Sequence, residues 1–214
     1  MIVAFLRHGS TAWNEQGRMQ GRRDVPLSAR GRDEVRAWRL PSVSSAVAPV
    51  EPTWVSSPLR RAVETAEILS GATPQRESAL IEMDWGEWEG FDLDELRRRH
   101  GEAFARNEAA GLDFRPPGGE SPREVRDRVM SWLAAIAMHR ETMVVVTHKG
   151  VLRAVLAAAT GWDMTGKPPL RLQHDALHRF AVGPGGRVTV QQCNIPLVAT
   201  SIEDATAGER SGST

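Results

Sequence analysis

Ile2-Val3-Ala4-Phe5-Leu6-Arg7-His8-Gly9 decides the fold. Five apolar residues are too few for a helix and a glycine closes the run, so it reads as a short strand. The strand carries an arginine and a histidine to its carboxyl end. In an open α/β sheet, ligands bind at that end of the strands. An imidazole beside a guanidinium suits the gripping of a phosphoryl group, or attack on it.

Working outward, Met143-Val144-Val145-Val146 has the unbroken apolar pattern of a strand buried on both faces of a parallel sheet. It ends in Thr147-His148-Lys149-Gly150, and a helix follows through Leu152, Val155, Leu156 and Ala159. His8 and His148 are therefore expected at strand ends on one sheet edge. The helix start at Gly150 turns N–H groups and a positive dipole end to that region, which favours an anion. A third strand, Thr53-Trp54-Val55, leads to Ser56-Ser57. Ser57 reads as a helix N-cap with Pro58 at the first position, which puts Arg60 and Arg61 in the first turn. A basic pair there is unfavourable for the helix, and a bound anion would offset the cost.

Other segments complete an alternation of strands and helices. Ser28 caps a helix through about Trp38, and Leu59, Ala62, Val63, Ala66 and Leu69 give the next helix its buried stripe. Ser121-x-x-Glu124 is a capping box opening a helix with Val125, Val129, Trp132, Leu133 and Ile136 inward. Residues 8–27 read as a loop able to fold over the site. Residues 83–120 read as a cap, with a basic helix near 92–106 and a Pro-Pro-Gly-Gly turn at 116–119. Residues 176–182 and 187–193 form a hairpin around Gly183-Pro184-Gly185-Gly186. The expected architecture is a three-layer α/β/α sandwich with a mainly parallel central sheet and an antiparallel edge. One domain spans 1–200, and 201–214 reads as a disordered tail.

Composition narrows the class. Lys+Arg 27 against Asp+Glu 27 gives no net charge, which argues against a general nucleic-acid binder. The lone Cys193 excludes an intrachain disulfide and a cysteine metal cluster, and fits a reducing cytoplasm. No signal peptide and no membrane-length apolar stretch is read. His8 and His148 lack local metal-ligand spacing, so neither a metal nor a cofactor is expected.

Leu6-Arg7-His8-Gly9-Ser10-Thr11, with Asn14 following, resembles the signature of the histidine phosphatase superfamily, the phosphoglycerate mutase-like fold. Further blocks resemble that family in the same order. They are Gly17-Arg18-x-Gln20-Gly21, Pro26-Leu27-Ser28-x-x-Gly31 and Ser56-Ser57-Pro58-Leu59-Arg60-Arg61-Ala62-x-x-Thr65-Ala66. The stretch from Glu82 to Gly90, then Pro117-Gly118-Gly119-Glu120-Ser121 and Val145-Val146-Thr147-His148-x-Gly150, complete the set.

The resemblance implies His8 as the nucleophile, attacking phosphorus to give a phosphohistidine. Its second ring nitrogen must be held, most simply by the Gly9 carbonyl. Arg7 and Arg61 would grip the phosphoryl oxygens, His148 would donate to them, preferably protonated, and Glu82 would be the general acid and base. Asp84, Glu87 and Glu89 compete with Glu82 by position alone. Asn14, Gln20, Gly21, Lys149, Gly150 and Trp85 are expected to line the substrate and phosphate site. Trp85 and Trp88 either share one pocket wall or pack locally. Lys149 stands where the family has a small residue, and Trp85 where its mutase branch has tyrosine. This chain has no tyrosine. The longer basic insertion of the mutase branch is absent from the alignment, so water is favoured as acceptor. A cytoplasmic, metal-independent phosphatase acting on a small phosphate ester is thus expected. A mutase and a non-catalytic phosphate-binding protein are the alternatives, no membrane or nucleic-acid partner is foreseen, and a homodimer stays open.

Overall fold

A computed structural model of the chain describes residues 1–41, 52–138 and 142–197. The expected tail at 201–214 lies outside the described residues. Six strands form one sheet in the order β3-β2-β4-β1-β5-β6. The strands are β1 (Ile2–Arg7), β2 (Thr53–Ser56), β3 (Gln75–Arg76), β4 (Met143–Thr147), β5 (Ala176–Val182) and β6 (Val188–Pro196). β3, β2, β4 and β1 run parallel to one another, while β5 and β6 pair antiparallel at one edge.

Side-chain alternation splits the core into two layers. Val3 and Phe5 of β1, with Met143 and Val145 of β4, pack beneath α5 (Pro122–Ile136) and α6 (Lys149–Thr160). Ala4, Leu6, Val144 and Val146 face the other way, onto α2 (Ala29–Ala37) and α3 (Arg60–Ser70). All five residues of β4 are buried. Full burial of a Val or Phe side chain is worth about 1.5–3 kcal/mol, so the two central strands anchor both layers.

Ser28 accepts the Gly31 N–H and caps α2, and Ser121 and Glu124 form the capping box of α5. Ser57 does not cap α3. That helix begins at Arg60 with Leu59 as its N-cap, so Ser57 lies two residues too early to cap it and its Oγ instead accepts the Leu59 N–H and meets a histidine. Residues 8–27 include one helical turn, α1 (Ala12–Glu15), closed by a Thr11/Asn14 capping box. The basic helix, α4 (Leu93–Glu108), is broken at Gly101, whose φ is 48°.

Candidate active site

Arg7 pairs with Thr147 in the parallel register of β1 and β4, so the next residues, His8 and His148, leave adjacent strands side by side. The His8 N–H donates to the Thr147 carbonyl at 3.0 Å. The two imidazoles are both buried, with centroids 5.1 Å apart.

His8 Nδ1 lies 2.7 Å from the Gly9 carbonyl oxygen. A carbonyl only accepts, so Nδ1 carries the proton. Arg61 Nε donates to His8 Nε2 at 3.2 Å, which therefore presents a lone pair. Burial first, and the Arg7 and Arg61 charges next, hold this ring well below the ordinary 6.5. It is neutral at neutral pH, as attack requires. The turn is fixed from α3, where Thr65 accepts the Gly9 N–H at 3.0 Å.

Arg61 is buried, and its two terminal nitrogens donate to the Arg23 and Gly21 carbonyls at 2.7 and 2.8 Å. Its fork is thus partly committed to the loop, leaving fewer N–H groups for phosphoryl oxygens than sequence implied. Gly21 holds this approach with φ 53°, and a side chain there would strike the Glu89 carboxylate. Arg7 lies 3.4 Å from His174 Nδ1, and His174 Nε2 lies 3.5 Å from Glu34. Burial would raise the Glu34 carboxyl, but hydrogen bonds from His174 and Ser10 outweigh it and hold its pKa at about 2. Arg7 Nε is buried with no partner among the described residues.

His148 Nε2 lies 2.7 Å from Ser57 Oγ, which itself accepts the Leu59 N–H at 3.3 Å. Among the described hydrogen bonds Nε2 is the acceptor within reach of the Ser57 hydroxyl proton, and this pairing assigns the His148 proton to Nδ1. That atom is buried and unpartnered among the described residues, a donor that a phosphoryl oxygen would satisfy. Burial, then Arg61, His8 and Arg7, push this ring well below 6.5. Sequence favoured a His148 that is protonated or at least donating; burial first, and the surrounding cations next, keep the ring neutral, so its one N–H is what it donates.

Both oxygens of the Glu82 carboxylate accept the Gly150 N–H, at 3.1 and 3.2 Å, and one also accepts the Met83 N–H at 2.9 Å. The α6 N-terminus, expected to receive a substrate anion, instead holds a carboxylate of the chain itself. A Cβ at Gly150 would collide with that carboxylate. Arg128 of α5 fixes the approach by donating to the Ala79 and Ile81 carbonyls and to Glu120.

A cavity of about 650 Å³ opens on this site, with His148 fully buried behind its lining. Arg7, His8, Arg61, Glu82, Asn14, Gln20, Gly21, Trp85, Lys149 and Gly150 all line it. Asn14 Oδ1 accepts the Thr11 N–H at 3.1 Å, which leaves the amide Nδ2 for other acceptors. Gln20 Oε1 accepts from the Thr11 hydroxyl at 2.9 Å.

A model of the histidine phosphatase superfamily (branch 1) matches residues 3–195. The chain belongs to the histidine phosphatase superfamily. It is 31% identical over 186 residues to a 2,3-bisphosphoglycerate-dependent phosphoglycerate mutase of Methylobacterium radiotolerans, covering 80% of this chain and 85% of that protein. It is 32% identical to a probable 2-carboxy-D-arabinitol-1-phosphatase of Arabidopsis thaliana, over 74% of this chain and 33% of that one. YhfR of Bacillus stearothermophilus superposes with a TM-score of 0.74 at 28% identity, covering 93% of this chain and 98% of that one. A mycobacterial glucosyl-3-phosphoglycerate phosphatase complexed with VO3 gives a TM-score of 0.74 at 26% identity, over 91% and 98%.

In this member of the superfamily, geometry sorts the four carboxylates of the 82–89 stretch. Glu82 lines the cavity, Asp84 and Glu89 pair with Arg22 and Arg23 at 3.5 and 3.1 Å, and Glu87 is exposed. Trp85 and Trp88 do not share a wall. A 3₁₀ turn at Gly86–Trp88 leaves Trp85 at the cavity and buries Trp88 against Leu96 and Phe104. Arg97 pairs with Asp94 and Glu108, and Arg99 with Glu95, so this basic stretch is a surface lattice. Sequence reasoning missed Ser57 as the partner of His148, and Glu34 and His174 behind Arg7. Each pair is distant along the chain, and no local spacing marks it.

No group of three or more His, Cys, Asp or Glu side chains among the described residues is arranged to hold a metal ion. No described helix is long and apolar enough to cross a membrane.

Proposed function

We propose that this protein is a phosphomonoesterase for a small phosphorylated metabolite, working through a phosphohistidine on His8. One observation carries the reading. His8 is held by its Nδ1 proton with a lone pair on Nε2, inside a cavity lined by arginines.

In the first step Nε2 attacks phosphorus and the ester P–O bond breaks. Its electron pair leaves with the alcohol oxygen, which takes a proton from Glu82. In the second, water attacks the phosphohistidine, the N–P bond breaks, the pair returns to Nε2, and Glu82 receives the water proton. Arg7, Arg61 and the Nδ1–H of His148 stabilise charge on the phosphoryl oxygens, and Asn14 adds its amide. Gly9 keeps the imidazolium-like intermediate oriented. The carboxyarabinitol phosphatase and glucosyl-phosphoglycerate phosphatase relatives support hydrolysis. The bacterial relative named a mutase supports the competing transfer of the group back to substrate.

Hydrolysis of p-nitrophenyl phosphate, undiminished by a chelator and abolished by His8→Ala, is the expected result. A silent phosphate-binding protein would leave this ester intact. With a radiolabelled ester, free phosphate release supports the phosphatase, and label moved within the substrate supports a mutase.

A further inference from the structure

A second cavity, of about 690 Å³, lies beside the first. Arg7, Lys149 and Arg153 line both. Arg171 and His174 add to its lining, in which Asp175 is the one carboxylate. Four side chains of fixed positive type therefore face one acid.

Arg97, Arg99, Arg115, Arg123 and Arg128 all sit on carboxylates. Lys149, Arg153 and Arg171 have no ion pair or side-chain hydrogen bond among the described residues. Lys149 and Arg153 are i and i+4 on α6, so they share a face and repel. Lys149, the first residue of α6, also lies at the positive end of the helix dipole, which adds to the cost. Arg153 is positioned rather than loose, because its guanidinium stacks on Trp162 at 4.9 Å and Trp162 Nε1 donates to the Thr165 carbonyl at 3.0 Å. Burial, then Arg7 and Arg153, lower the Lys149 pKa. The fold thus gathers four cations beside Asp175 and the Glu82 carboxylate at the start of α6, more positive than negative charge of its own.

We propose that this second cavity is a recognition subsite for a second anionic group of the substrate, a carboxylate or a further phosphate, held by Lys149, Arg153 and Arg171. The ester phosphate sits at His8, and Arg7 is common to both cavities. The proposal rests on the phosphomonoesterase reading and narrows it: the substrate is a phosphate ester with an acidic tail.

Matched esters test it. Glycerol 3-phosphate, 3-phosphoglycerate and glycerol 1,3-bisphosphate share a skeleton and differ in tail charge, and glucose 6-phosphate and 6-phosphogluconate repeat the carboxylate comparison at greater length. The wild type is expected to favour an acidic tail by about 10-fold or more in kcat/KM, as a charge-assisted contact implies. The carboxylate and bisphosphate arms show which anion fits. The double variant R153Q/R171Q, which leaves Lys149 at the phosphate site, is expected to bring the acidic-to-neutral ratio near one, and R153K/R171K to restore part of it. Equal losses on acidic and neutral esters, or a wild-type ratio near one in both series, would overturn the proposal. If the wild type cleaves no ester, including p-nitrophenyl phosphate, the phosphomonoesterase reading falls. Calorimetric titration of the same compounds into wild type and the double variant then decides the subsite alone, with loss of an acidic-tail preference supporting it and equal affinities rejecting it.

Discussion

The Nε–H of Arg61 meets Nε2 of His8 at 3.2 Å, opposite the 2.7 Å contact from His8 Nδ1 to Gly9. One arginine therefore marks the nitrogen that must attack, and its other nitrogens tie the 21–23 loop to the site. Arg61→Lys keeps the charge but loses the fork. We expect kcat/KM for p-nitrophenyl phosphate to fall ~100-fold or more, the scale of losing a preorganised donor. A fall below about threefold in a variant with wild-type melting temperature would show that the fork is not needed.

Ser57 fixes which nitrogen of His148 carries the proton. Ser57→Ala removes that constraint and leaves Nε2 without its donor. An approximately 10-fold loss in kcat is expected, within the range for one misdirected donor. Imidazole nitrogen chemical shifts should show Nδ1–H in the wild type and a mixture in the variant. An unchanged tautomer would remove the positioning role.

His174 stands between Glu34 and Arg7. His174→Phe should leave Arg7 less well oriented, raising KM several-fold more than it lowers kcat, since the proposed mechanism has this arginine grip the phosphoryl group throughout. Glu34→Gln should act in the same direction. Parallel kcat losses without a KM change would point away from substrate grip.

Stability should depend on pH through the buried histidines. His8 and His148 are held well below 6.5, and burial lowers His178 to about 4. In the unfolded chain all three titrate near ~6.5. Below that value the unfolded state binds more protons, so unfolding free energy rises with pH through this window. The contribution is complete above about pH 6.5 and is lost as pH falls toward the folded values, by up to ~1.4 kcal/mol per pH unit for each histidine. Glu34, at about 2 when folded, extends the loss in the same direction at lower pH. Urea midpoints should therefore fall between about pH 7 and pH 5, and a flat profile would contradict this electrostatic account.

Much of this was legible because local chemistry repeats a large-scale rule. Apolar runs ending in Arg7-His8 and Thr147-His148 placed two imidazoles at strand ends, and the β1/β4 register brought them together. The Ser121 capping box and the glycine-rich hairpin were equally local. β3 was not legible, since its two residues are exposed and polar. The α1 turn carries no apolar stripe. Glu82 at the start of α6, Ser57 on His148 and His174 behind Arg7 each depend on packing between segments distant in the chain. The Ser57 cap failed because the helix starts at Arg60, two residues later than the local pattern places it, so Ser57 Oγ accepts the Leu59 N–H ahead of the helix.

Acid-stable handling is unsuited to an N–P bond, so the decisive experiment is alkaline quenching during turnover of a radiolabelled phosphate ester, followed by peptide mapping. The account requires label on the peptide bearing His8, released by acid and absent from His8→Ala. Turnover with label on another residue, or with no covalent label at any quench time while His8→Ala stays active, would contradict it.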